Sequence, residues 1–214
     1  MQEKMTRFRK WFENYWYHHS ALTLVILFFV VSGVVLTVDF LKKKNPDFVV
    51  VYAGHEYGSA SQFAPIEDKA KEIVGDLDGD GQVKVNFRLI AIRTGEITDY
   101  DVNKEQQFNY SFLDEAVHLY LIEKNYLTDK SLYFEPLDSI LPADRLRGGI
   151  KNEAGEVYAV PLSGNRLAEE MDFAREDMYI AVKKIMDVER DNPLAHEGQE
   201  KAKELLQYIV NEGK

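Results

Sequence analysis

"DFVVVYA", residues 47–53, is the stretch on which the fold turns. After Asp47 it carries no charge, and Val49, Val50 and Val51 are β-branched. A strand with one wet face alternates apolar and polar residues, so a continuous apolar run fits a central strand covered on both faces. Beyond "GHEYGSAS", the segment "QFAPIEDKAKEIV" places Phe63, Ile66, Ala70 and Ile73 at helical spacing, and Gly75 is a helix stop. "VKVNFRLIAI" then alternates Val83, Val85, Phe87, Leu89 and Ala91, which predicts a second strand. Strand, helix and strand make a βαβ unit, parallel and right-handed.

Further along, "FNYSFLDEAVHLYLIEKN" is expected to form one helix over residues 108–125, on Phe108, Phe112, Val117, Tyr120 and Leu121. "SLYFEPL" is expected to start the third strand. A Gly- and Pro-marked excursion leads to the strand "VYAVPL", the strand "MYIAVKKI" and an amphipathic helix, "HEGQEKAKELLQYIVN". The predicted class is α/β: residues 47–214 as a single three-layer domain with a mixed, mostly parallel sheet.

Ahead of this domain, "SALTLVILFFVVSGVVLTV" has no charge from Ser20 to Val38. As a helix it would measure roughly 28 Å, close to the hydrocarbon thickness of a bilayer. Trp11, Tyr15, Trp16 and Tyr17 flank it as an aromatic belt, and Lys42, Lys43 and Lys44 stand on the other side. The segment is too long for a signal-peptide core and no A-x-A-like site follows it. The expected layout is a cytoplasmic, basic and aromatic N-terminus (1–19), a transmembrane signal anchor (20–41), a tether (42–46) and an extracytoplasmic domain (47–214). Lys4, Arg7, Arg9 and Lys10 with the N-terminal amine give the small charge bias behind that orientation.

Residues 1–44 hold seven basic and three acidic side chains of a chain whose net charge is −10, leaving −14 for the remainder. Such an acidic domain is a poor nucleic-acid partner, because phosphate binding depends on a basic surface. The chain has no Cys, which excludes disulfides, thiolate metal sites, a Cys nucleophile and a lipobox-type anchor, and is in keeping with a bacterial surface protein.

The Leu137–Asp138 pair in "YFEPLDSIL" and the Tyr158 and Pro161 pair in "GEVYAVPL" carry a resemblance. Together these stretches resemble the hinge-proximal part of extracellular sugar-type (type 2) solute-binding proteins. The resemblance implies a lobe-like α/β scaffold over residues 47–214. It implies no ligand residue here, since two lobes close over the ligand in that family and this chain has room for about one.

Two stretches are candidate sites. "HEYGS" follows the first strand, where open parallel sheets place ligands beyond the strand's carboxyl end. His55, Glu56 and Ser59 are the candidate ligand-binding residues, against the plainer reading of a turn whose Ser59 or Ser61 caps the next helix. It is not a zinc-protease HExxH, because Ser59, with Ala60 after it, stands where the second His belongs. "GDLDGDGQVKV" (75–85) puts Asp76, Asp78 and Asp80 at the odd positions of a calcium loop, with Gln82 following as a fourth candidate ligand. The twelfth position is Phe87 instead of Glu, and Lys84 adds a cation. The loop is thus a weak calcium site recruiting a carboxylate such as Glu72 or Glu96, or a bare Asx-type turn. Ser163 in "PLSGN" lacks a G-x-S-x-G elbow, and neither His118 nor His196 can be paired with it in sequence. The expected function is a membrane-anchored binding or assembly module without catalysis, docking on a membrane or surface protein. The alternative is a receptor for a sugar or amino acid, or a transporter accessory protein.

Overall fold

The computed structural model describes residues 2–42, 45–54, 59–92, 99–173 and 175–212. The chain divides into two compact units, Met1–Asn45 and Pro46–Lys214.

The first unit is one helix, α1 (Gln2–Lys42). Its stretch from Arg9 to Val38 is long and apolar enough to cross a membrane, and none of its most apolar window is buried by protein. The belt residues stack along the helix at i, i+4: Trp11 on Tyr15 at 5.7 Å and Phe12 on Trp16 at 5.9 Å between ring centroids. The helix starts well before Ser20, so the expected N-terminal segment is helical as well.

The second unit contains β1 (Phe48–Gly54), α2 (Ala64–Val74), β2 (Val85–Ala91), α3 (Asp99–Ser111), β3 (Val117–Glu123) and α4 (Lys124–Leu127). There follow β4 (Ile150–Lys151), β5 (Val157–Pro161), α5 (Arg166–Glu170), β6 (Met178–Val182) and α6 (Pro193–Glu212). The six strands form one sheet in the order β2-β1-β3-β6-β5-β4. β1 pairs parallel with β2 and β3, whereas β3–β6, β6–β5 and β5–β4 are antiparallel. The sheet is therefore mixed, parallel in one half only, and not mostly parallel.

β1 is buried at every residue, as its uninterrupted apolar run requires. Phe48, Val50 and Tyr52 join one core cluster with Ile66 and Ala70 of α2 and Leu205 and Ile209 of α6. Val49, Val51 and Ala53 point the other way, into a cluster with Phe108 of α3, Phe112, Phe134 and Tyr158. Burying two faces of one strand consumes every side chain, which is why no polar position interrupts it.

Two expectations need correction. Residues 108–125 are not one helix: α3 ends at Ser111, and Val117–Glu123 is β3, buried at all seven positions. Nor is "SLYFEPL" the third strand; Ser131–Tyr133 is a 3-10 turn, and Phe134 makes only a bridge to Lys183. A strand covered on both faces places apolar residues at all spacings, including the i, i+3 and i, i+4 spacings that mimic a helix. The β-α-β-α-β order stands, with its second helix and third strand earlier in the chain.

Candidate functional site

β1 and β3 end side by side, and the strand order reverses around them: the chain leaves β1 for α2 and β2 on one side and leaves β3 for α4, β4 and β5 on the other, with β6 returning to pair with β3. A switch of this kind opens a crevice at the carboxyl ends of parallel strands. A polar cluster lies there. Glu123, the last residue of β3, is wholly buried, and Arg175 Nη2 donates to its Oε1 at 2.8 Å and to Tyr52 Oη at 3.1 Å. A quarter of the Arg175 side chain remains solvent-accessible, so the cluster reaches the surface at the sheet end. Gly54 ends β1 against this cluster; a Cβ there would lie 2.7 Å from Glu123 Oε1, which only glycine avoids. Tyr126 Oη donates to the Ile92 carbonyl at 2.7 Å. Burial, with lesser contributions from the Glu123 carboxylate and Tyr52, pushes the Tyr126 phenol up to about 12, so it stays a donor across the physiological range.

Ser59 borders this end of the sheet in sequence and caps the 3-10 turn Ala60–Phe63. Its Oγ accepts from Ser61 N at 3.4 Å, while its own N–H donates to Gln62 Oε1 at 2.6 Å. His55 and Glu56 lie outside the described residues. Sequence reasoning missed Tyr52, Glu123 and Arg175. The available signal was Glu123 itself, a charge closing the apolar run "VHLYLI".

The acidic loop sits at the opposite end of the strands, between α2 and β2. Asp76 accepts from Asp80 N at 3.1 Å and Gly81 N at 2.7 Å; Asp78 accepts from Asp80 N at 2.9 Å, and Asp80 from Gln82 N at 2.8 Å. Lys84 Nζ lies 3.2 Å from Asp80 Oδ2, and the Gln82 side chain is exposed. The carboxylate recruited from elsewhere is Asp47, which was not foreseen. It accepts from Leu77 N and Asp78 N, both at 3.2 Å, and from Lys84 N at 2.7 Å. Oxygens of Asp47, Asp76 and Asp78 lie within 4.8 Å of one another, a spacing that could share a hard cation. Glu72 is instead paired with Lys69, and Glu96 lies outside the described residues. The Asp side chains serve backbone N–H groups in the manner of Asx turns.

Ser163 follows β5 and is exposed, at the sheet end where Pro161 pairs with Tyr179. His118 lies at the other end, next to the Leu119–Val182 pair, and His196 Nε2 meets the Arg190 carbonyl at 2.8 Å. The two stretches behind the solute-binding resemblance touch each other: Asp138 Oδ2 accepts from Val157 N at 2.7 Å and Leu137 N donates to Val157 O at 2.7 Å. Comparison with protein-family models, curated proteins and solved structures gives no match.

Proposed function

We propose that this chain is a membrane-anchored binding module, with α1 spanning the bilayer and a three-layer, solute-binding-lobe-like domain on its extracytoplasmic side. Recognition takes place at the carboxyl end of β1 and β3, and the bound species is a membrane or surface protein. The carrying observation is the Tyr52–Glu123–Arg175 cluster: a buried carboxylate and a partly accessible guanidinium at the switch point of the sheet. In that setting Glu123 fixes a positive charge at the mouth of the crevice, which favours an acidic or polar group on the incoming partner. The exposed apolar length of α1 supports the anchor.

The test combines two measurements on the full-length chain. A photo-crosslinker at Ser59 in intact cells should capture a membrane or surface protein, and Tyr52→Phe should reduce the yield. Thermal stabilisation by a sugar or amino acid, lost in Tyr52→Phe and with nothing crosslinked, would instead establish the small-ligand receptor.

A further inference from the structure

A separate cavity of about 580 Å3 opens between the segment after α4 and the β4–β5 hairpin. Its floor is the stacked pair Phe134 and Tyr158, 5.9 Å apart between centroids, with Pro136 beside them. Tyr158 is buried and its hydroxyl donates to the Leu127 carbonyl, so the floor presents ring carbon. Around it stand two cations, Lys151 and Lys184, three carboxylates, Asp129, Glu153 and Glu156, and the hydroxyl of Ser131; Glu156 Oε2 accepts from Asn152 Nδ2 at 2.9 Å.

The lysines of this rim differ from most other described lysines on the domain. Lys69, Lys71, Lys84, Lys183, Lys201 and Lys203 all have carboxylate partners within 3.2 Å. Lys151, Lys184, Asp129 and Glu153 make no side-chain hydrogen bond or ion pair among the described residues, although both signs border one cavity. Asp129 is held at φ 63°, a left-handed conformation that Asp tolerates better than most side chains. The volume falls in the small-ligand range of about 300–1,000 Å3.

We propose that this cavity binds a small zwitterion, an amino acid or short peptide, with its carboxylate met by Lys151 and Lys184 and its ammonium by Asp129 and Glu153. The apolar body rests on Phe134, Pro136 and Tyr158. A rim that presents both signs, with carboxylates in excess by one, favours a ligand that carries an ammonium as well as a carboxylate. A simple anion is disfavoured by the rim carboxylates and by the acidic domain around them. This site is independent of the one at the sheet end.

Saturation-transfer NMR on the full-length chain in detergent micelles tests the proposal. The probes are the proteinogenic amino acids and a set of dipeptides at about 5 mM, above the Kd of a millimolar binder. At least one zwitterion should show transfer. Its N-acetyl and C-amide analogues, each lacking one charge, should bind about tenfold more weakly, the equivalent of 1.4 kcal/mol. Lys184→Ala and Asp129→Asn should weaken the zwitterion similarly, and Lys201→Ala should not. The rim residues are exposed, so these variants keep the fold, which circular dichroism checks. No transfer from any zwitterion, equal binding of single-charge analogues, or unchanged binding in both rim variants would overturn the assignment.

Discussion

His118 is 3 % exposed, beside the Phe48 ring and beneath Gly198 of α6. Burial, reinforced by the Lys183 ammonium and opposed by Asp114, lowers its pKa from 6.5 to about 4. Between those values the unfolded chain binds a proton that the folded one refuses. Stability from this group is therefore complete above about pH 6.5 and falls as pH drops toward 4, by about 3 kcal/mol in all. In urea titrations at pH 7 and pH 4.5, His118→Phe should lose less stability on acidification than the parent chain. Asp47 is the second residue whose environment sets its role. Its three backbone donors make Asp47→Ala cost about 2–3 kcal/mol, readable as a lower urea midpoint. Calorimetry with calcium up to ~10 mM should be flat if these oxygens serve only the turn; binding abolished by Asp78→Ala would make the loop a weak calcium site.

At the scale of elements, α6 holds an exception to helix propensity. Gly198 is buried within the helix, where alanine would ordinarily be better by about 1 kcal/mol. A Cβ there would collide with the His118 ring, which is itself enclosed. Gly198→Ala should accordingly destabilise the domain by about 1–2 kcal/mol despite its helix propensity, a sign that thermal unfolding can read. Under the same helix, Lys183 Nζ lies 2.5 Å from Glu189 Oε1 and donates to the Asp114 carbonyl at 2.8 Å, with both ion-pair partners buried. Removing Lys183 alone, as Lys183→Met, strands a buried carboxylate and should cost about 3–5 kcal/mol, much of it recovered in Lys183→Met/Glu189→Leu. β3 is a strand where the sequence pattern predicts a helix because its two faces are both covered, so its apolar residues carry no period that separates strand from helix.

For the whole molecule, a bilayer span by α1 would leave the domain on the extracytoplasmic side. The chain has no Cys, and Val188 is 80 % exposed, so Val188→Cys offers a unique accessible thiol. An impermeant maleimide should label it on intact cells; labelling only after lysis would place the domain in the cytoplasm.

Local patterns along the chain suffice for the long apolar helix, the central strand β1, the second strand, both late strands and the last helix. In each, one local pattern points to a single structure: length without charge, a strand-length apolar run, or a periodic apolar face closed by a stop residue. Ser59 as a cap and the acidic loop as a set of Asx turns were legible for the same reason, since their bonds reach only a few residues. The tertiary structure alone decided that β6 lies antiparallel against β3, and that Asp47 reaches across to Leu77, Asp78 and Lys84. It also decided that Tyr52, Glu123 and Arg175 meet. Those contacts join residues up to 123 positions apart, where no local spacing relates the partners. Only the packing of sheet and helices brings a buried carboxylate to its guanidinium, because burial of the charge has to be matched in space whatever the distance along the chain.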